Sequence, residues 1–388
     1  MKIAVFGHSL FHLAVGLRQN PENDVRLFID AGTIPVTLRD ETRLRDQSFV
    51  ELVPRITYQD LLHPGSAYIS KQLCSFDIAL VTDLGPIFAA SVGKRFVFIP
   101  GGSDLTEYPF PIRSRSTRRR GREDVLRFLI AARLRPAIRS ALGIWGSGPF
   151  SPWTLAASRL GLSLDEFLPR AFDTELFAPE GNRSRAFDVS ESLTIFHPTR
   201  IDYSENRHTR DTGGCKRNDL LFRGFAEAIK SDLRVRLVLI ERAGSSDQHR
   251  AKQLLSSLGV TEYVTWLSPR DPAGYSWRET ADLYRASDVV VSDFAGWTGM
   301  VNVEGAACGR PVIGYLEPDS MNKMYPDGSP LVQATSSVEI CDSIMMLADS
   351  ERRDDIGRRS REWALEHHDM YVVARRCELM LRTLGVPD

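Results

Sequence analysis

The chain has 388 residues, a formal net charge of −1, 43% hydrophobic residues and 26% charged ones. That length exceeds one ordinary core and suits two α/β domains of about 200 residues each, while the near-zero charge leaves no global field to steer the chain to nucleic acid. The five cysteines are odd in number and have no paired spacing, which argues for a reducing compartment and against a disulfide scaffold.

The start, MKIAVFGHSL, enters a strand pattern directly, so no signal peptide is expected. No apolar run approaches the roughly 18 residues of a membrane span. A cytoplasmic protein is the expectation.

In chain order, residues 2–6 read as a buried strand, 10–18 as a helix and 25–29 as a second strand. Residues 33–75 carry no clear period. Strands at 77–81 and 95–99 flank a helical stretch at 88–92. Strands alternating with helices imply βαβ units and a parallel sheet. A polar break at 179–192 reads as a linker, and the same rhythm then restarts. Strands are expected at 193–196, 235–240, 263–267, 288–292 and 311–315. Helices are expected at 220–229, 248–258, 279–285, 299–308, 338–347 and 351–367. The last helical stretch, 372–384, is expected to cross back to the first domain. The expected domains are 1–178 and 179–371, followed by a terminal helix in 372–388.

The segment 288–315, DVVVSDFAGWTGMVNVEGAACGRPVIGY, is the most informative. It reads as a strand, a turn of small residues, a helix starting near Gly299 and a second strand after Gly309-Arg310-Pro311. A helix N-terminus offers unpaired N–H groups and the positive end of a dipole, a site for a diphosphate. Gly299 allows close approach to the backbone. Glu304 lies about one and a half turns into this helix, placed to accept hydrogen bonds from vicinal ribose hydroxyls.

This segment resembles the donor-site signature of retaining family 4 glycosyltransferases, in which Glu-Gly-Phe-Gly-Leu-Val precedes Glu-Ala-Met-Ala-Cys-Gly-Lys-Pro-Val-Ile. The matching residues are Gly296-Trp297-Thr298-Gly299-Met300-Val301 and then Glu304 through Ile313. The resemblance implies two tandem doubly wound Rossmann-like domains, the GT-B fold, with an interdomain cleft. It implies Glu304 as the ribose ligand and the Gly299, Met300 and Val301 amides as diphosphate donors. Gly296 stands where the family has its first glutamate. Asp293 either substitutes for that glutamate at the reacting centre or simply ends its strand.

A second family feature is Gly-Arg at the end of the first strand of the second domain, followed by Lys-Gly opening a helix. Here His197-Pro198-Thr199-Arg200 and Lys216-Arg217-Asn218 are similar to it. The resemblance assigns Arg200 and Lys216 to neutralising a pyrophosphate leaving group. Residues 169–179, PRAFDTELFAP, are similar to the family's segment before its linker. The donor is expected to be a UDP- or GDP-sugar. No Asp-x-Asp motif is present, so neither a metal nor another cofactor is expected.

The acceptor side is expected on the first domain. Residues 100–107, PGGSDLTE, are similar to a His-Gly-Ser-Asp segment of the family, with Gly101 at the histidine's position. Gly101, Gly102, Ser103 and Asp104 are the candidates. Asp104 either orients an acceptor hydroxyl or caps the next helix. The loop Gly7-His8-Ser9 adds His8, with His12 one helical turn further on.

Residues 113–139 hold ten arginines against Glu123 and Asp124, a net of +8, interleaved with apolar residues. Arg118, Arg119, Arg120 and Arg122 head this run. A basic amphipathic segment suits an anionic membrane surface or an anionic acceptor. Nucleic acid is the less expected partner, since successive stacking aromatics do not accompany the run. The expected acceptors are saccharide, lipid-linked or natural-product hydroxyls, with peripheral attachment to the inner face of a membrane. Alternative readings are a GT-B epimerase or phosphorylase, and a degenerate GT-B subunit that binds nucleotide sugar or partners without transfer.

Overall fold

The computed structural model describes residues 1–110, 122–164, 166–184, 192–242 and 245–386. The chain divides into two compact units. One comprises Met1–Pro35, Glu41–Ala171 and the chain from Met370 on, and the other Val36–Asp40 and Phe172–Asp369.

The first unit contains β1 (Lys2–Phe6), β2 (Asp24–Asp30), β3 (Val50–Val53), β4 (Ile78–Val81), β5 (Phe96–Phe98), β6 (Gly143–Gly146) and β7 (Glu166–Phe167). They form one parallel sheet in the order β3-β2-β1-β4-β5-β6-β7. β1 and β4 are apolar and buried along most of their length, as central parallel strands covered on both faces require. The helix Met370–Thr383 belongs to this unit. It crosses the helix Phe11–Arg18 at Gly16, where a Cβ would stand 2.2 Å from the Met370 carbonyl oxygen. Only a glycine permits that approach. Asn20 also donates to Glu378 at 3.2 Å, and Arg95 donates to the Leu384 carbonyl at 2.8 Å.

The second unit contains β8 (Leu193–His197), β9 (Val235–Ile240), β10 (Val264–Leu267), β11 (Val289–Val291), β12 (Val312–Gly314) and β13 (Val332–Gln333). The order is β10-β9-β8-β11-β12-β13, again all parallel. Its core joins β8, β9 and β11 to Leu221, Phe222 and Phe225 of the helix Asn218–Lys230 and to Ile340 and Ile344 of the helix Ser337–Leu347.

Both sheets are doubly wound. Each reverses its strand order once, between β1 and β4 in the first unit and between β8 and β11 in the second. Ligands of open α/β sheets lie outside the carboxyl ends of the strands at such a reversal. Among the described residues, no helix is long and apolar enough to cross a membrane.

Candidate donor site

In the second unit the reversal point is tied together by His197, the last residue of β8. Its Nε2 stands 2.8 Å from Asn218 Nδ2 and its Nδ1 stands 2.8 Å from the Val291 carbonyl oxygen. An amide nitrogen can only donate, so Nε2 accepts and Nδ1–H donates across to β11. Complete burial lowers the pKa of this imidazole to about 4, which keeps it neutral. The Asn218 amide oxygen accepts the Asp202 N–H at 2.9 Å, and its nitrogen donates to the Arg200 carbonyl at 3.3 Å. His197 and Asn218 together set the course of the loop that carries Arg200.

Lys216 spans the same reversal point from the other side. Its Nζ lies 3.1 Å from Asp293 Oδ2, with the two side chains 13% and 8% exposed, and 5.0 Å from the centre of the Trp297 ring. A Cβ on Gly299 would stand 3.9 Å from both Asp293 Oδ2 and Trp297. Lys216, Asp293 and Gly299 are thus brought together, and Asp293 is the partner of the lysine. Arg200 is half exposed and pairs with Asp202.

Gly299 is the N-cap of the helix Met300–Ala307 and offers no capping side chain. Asn302 N–H bonds back to the Gly299 carbonyl at 3.2 Å. The Gly299, Met300 and Val301 amides have no hydrogen-bond partner among the described residues. The helix therefore begins with bare donors beside a buried cation.

Glu304 is buried, and its Oε2 accepts the Tyr284 hydroxyl at 2.6 Å. Burial raises its pKa, opposed by the Tyr284 hydrogen bond and by the charge of Arg242 just beyond β9. Tyr284 and Arg242 escape a reading of the sequence, because nothing local marks residues that meet Glu304 only through strand order.

Gly296 has φ 103°, a left-handed conformation that side chains strain to adopt. A Cβ there would lie 2.7 Å from Glu317 Cγ. Glu317, whose N–H bonds to the Gly296 carbonyl at 2.8 Å, packs its side chain over the bare position.

In the first unit, Gly7, with φ 117°, packs so tightly that a Cβ would stand 2.1 Å from Thr82 Cγ2. His8 follows it, and burial lowers its pKa. His12 is buried within the helix Phe11–Arg18 and faces Phe11 edge-on. Gly101 and Gly102 lie in the turn after β5, and Ser103 opens the short helix Ser103–Thr106. Asp104 is 1% exposed and accepts from the N–H groups of Gly101 at 2.9 Å, Gly102 at 2.8 Å and Asp83 at 2.9 Å, and from Thr82 Oγ1 at 3.1 Å. Its oxygens are met by internal donors, so Asp104 fixes the turn.

The partly exposed carboxyl beside it belongs to Asp83, just past β4. Asp83 has φ 53° and no side-chain hydrogen-bond partner among the described residues. Burial first, then the negative charge of Asp104, raise its pKa to about 7. A lone aspartate after a strand reads as an ordinary strand end, so the sequence does not single it out.

Arg118, Arg119 and Arg120 lie outside the described residues. Arg122 opens the helix Arg122–Arg139. Within that helix, Arg133, Arg135 and Arg139 donate to the main-chain carbonyls of Leu62, Pro109 and Leu160. Those three cations are held by the unit's own backbone. Val125 and Phe128 are 53% and 50% exposed.

No family model matches the chain. Over 104 residues, 25% of the chain, it is 38% identical to the D-inositol 3-phosphate glycosyltransferase of Rhodococcus erythropolis (strain PR4 / NBRC 100887). Over 152 residues, 38% of the chain, it is 28% identical to the protein of that name from Corynebacterium jeikeium (strain K411). The matched stretches span only 22% and 34% of the length of those two relatives. Among solved structures, Anabaena HepE in complex with UDP-glucose superposes with a TM-score of 0.66 at 17% identity, covering 99% of this chain and 100% of that one. Sucrose-phosphate synthase from Thermosynechococcus elongatus superposes with a TM-score of 0.64 at 14% identity, covering 99% of each chain. The two tandem doubly wound units are those of the GT-B fold.

Proposed function

We propose that this GT-B chain is a glycosyltransferase that moves a sugar from a nucleotide-diphosphate sugar to an acceptor hydroxyl, with retention at the anomeric carbon. One observation carries this reading: the bare amides of Gly299, Met300 and Val301 lie beside Lys216 and one turn ahead of the buried carboxylate of Glu304. Amides and cation suit a diphosphate, and the carboxylate suits the pentose. The partial likeness to D-inositol 3-phosphate glycosyltransferases and the fold shared with a UDP-glucose complex support a nucleotide-sugar donor.

In the reaction, the acceptor oxygen bonds to the anomeric carbon as the bond from that carbon to the phosphate oxygen breaks. The acceptor proton passes to the departing diphosphate. Lys216, Arg200 and the helix amides stabilise the charge that develops on the leaving group. Alignment of the two substrates supplies much of the rest. No protein base is needed on this route, and the donor-site residues hold the diphosphate without a metal.

For the acceptor we propose a saccharide or lipid-linked hydroxyl bound at the carboxyl ends of β1, β4 and β5, near His8 and the Gly101–Asp104 turn. The run 113–139 would hold the chain against an anionic membrane face. The exposed Val125 and Phe128 on a helix with Arg127 support that placement.

A second reading, a nucleotide-sugar-binding protein without transfer activity, is favoured by Gly296, where Glu317 leaves no room for a glutamate. Thermal shift with UDP, GDP and ADP, followed by product assays with the corresponding sugars, separates the two. Stabilisation grows as RT ln(1 + [L]/Kd), so the preferred base shows the larger shift. Glu304→Ala should weaken nucleotide binding by about 1–3 kcal/mol. Unchanged affinity in that variant removes the donor-site assignment.

A further inference from the structure

We infer that Tyr284 is a positioning residue that aims Glu304 at a bound nucleoside, anchoring one carboxylate oxygen and leaving the other to accept from the pentose hydroxyls. The inference rests on the donor site proposed above.

Tyr284 lies on the helix Trp277–Ala286 and is completely buried. Its ring meets Phe196 of β8 edge-on at 5.3 Å and Phe177 at 6.1 Å. Close packing against these rings favours one rotamer. The hydroxyl therefore has a fixed position, and it lies 2.6 Å from Glu304 Oε2. Burial and the nearby Glu304 charge push the phenol well above its ordinary range, so it remains protonated and donates.

The backbone under Glu304 is equally constrained. Gly305 sits against β11 and β12, where a Cβ would stand 3.0 Å from Val312 and 3.1 Å from Val290. With its helix seated on the sheet and Oε2 held from behind, the carboxylate has one remaining freedom, the use of Oε1. An ionised carboxylate offers about four acceptor sites on two oxygens. Tyr284 occupies one and leaves the others for a ligand.

The consequence is chemical selectivity. A buried acceptor built for a hydroxyl rejects an analogue that lacks it, because the acceptor is then left unpaired. Tyr284 should thus set the preference for ribose over deoxyribose, though it makes no contact with the sugar itself.

The test titrates UDP and 2′-deoxy-UDP into the full-length chain by calorimetry, with GDP and 2′-deoxy-GDP in parallel. The wild type is expected to prefer the ribonucleotide by about tenfold or more. Tyr284→Phe is expected to lose most of that preference by weakening the ribonucleotide alone. A preference that survives Tyr284→Phe, or an equal loss for both nucleotides, overturns the inference in favour of simple packing.

Glu304→Gln should weaken the preference too, because Tyr284 claims the amide oxygen and the pentose meets a neutral NH2 group in place of an ionised acceptor. The double variant Tyr284→Phe/Glu304→Gln frees that amide to turn and leaves no buried charge without a donor, so it also guards against misfolding of the single variant. It should show no more preference than Tyr284→Phe, and a wild-type preference in the double variant counts against the inference. Should Glu304→Gln bind both nucleotides as the wild type does, or should the wild type bind none of the four, the donor-site reading itself fails.

Discussion

The ammonium of Lys216 lies 3.1 Å from the Asp293 carboxylate, and this buried pair joins the loop after β8 to the loop after β11 at the reversal point of the second sheet. The lysine is therefore not a free cation awaiting a phosphate. A diphosphate at Gly299 would share it with Asp293, and the balance between the two anions sets how strongly the site holds its ligand.

Two substitutions test that competition. Asp293→Asn leaves the lysine uncompensated and should tighten UDP or GDP binding by about 1 kcal/mol, the scale of one charge-assisted contact. Lys216→Met leaves Asp293 buried and unpaired and should cost about 3 kcal/mol of stability, with weaker nucleotide binding. Calorimetry and urea unfolding on the two variants measure both effects. Equal nucleotide affinity in Asp293→Asn and wild type would show that Lys216 does not reach the ligand.

Gly296→Glu restores the residue that the family signature carries, yet it should not restore a family-like site. The left-handed backbone alone costs a side chain about 1–2 kcal/mol, and the new Cβ would run into Glu317 Cγ at 2.7 Å. A lower Tm and no gain in transfer are expected. Gly296→Glu/Glu317→Ala should recover part of the loss by opening that space. A Gly296→Glu protein as stable as wild type would contradict the packing described here.

Two groups give stability opposite dependences on pH. His197 is held neutral, with its pKa lowered from 6.5 to about 4. The unfolded chain binds this proton first, so stability is lost as pH falls from 6.5 toward 4. The loss approaches about 3 kcal/mol. Asp83 has its pKa raised from 3.8 to about 7. Here the folded chain holds the proton longer, so this group's contribution is full below 3.8 and declines as pH rises toward 7. Asp83→Asn should therefore stabilise the protein at pH 8 and leave it unchanged near pH 4. Chemical unfolding across that range reads both effects. A variant with the wild-type pH slope would remove the unusual carboxyl from the account.

Much of the architecture is legible in the chain. Apolar runs such as 2–6, 235–240 and 289–291 are long and uniform enough to announce buried parallel strands, and the alternation with helices announces the two sheets. Strands such as β3, β7 and β13 leave no such signal. β3 has two open residues, Glu51 and Leu52, between its buried ends at the sheet's edge, and β7 and β13 are two residues each. Strands that short derive their existence from the neighbour they pair with, not from their own residues.

The residues of the proposed donor site were legible as a group because they share one strand–turn–helix unit. Gly299, Met300, Val301 and Glu304 stand close in sequence, and a helix start has the same chemistry wherever it occurs. Their partners were not legible. Tyr284 meets Glu304, Lys216 meets Asp293 and Glu317 covers Gly296 only because strand order brings separate loops to one end of the sheet. The saturation of Asp104 depends in the same way on donors from two different loops, and the raised carboxyl of Asp83 depends on its burial there and on the Asp104 charge. Local pattern determines which backbone groups are offered, since propensity and capping act within a few residues. Which charges are already compensated, and which remain to meet a ligand, was decided by tertiary packing alone, because burial and Coulomb interactions depend on distance in space and not on separation along the chain.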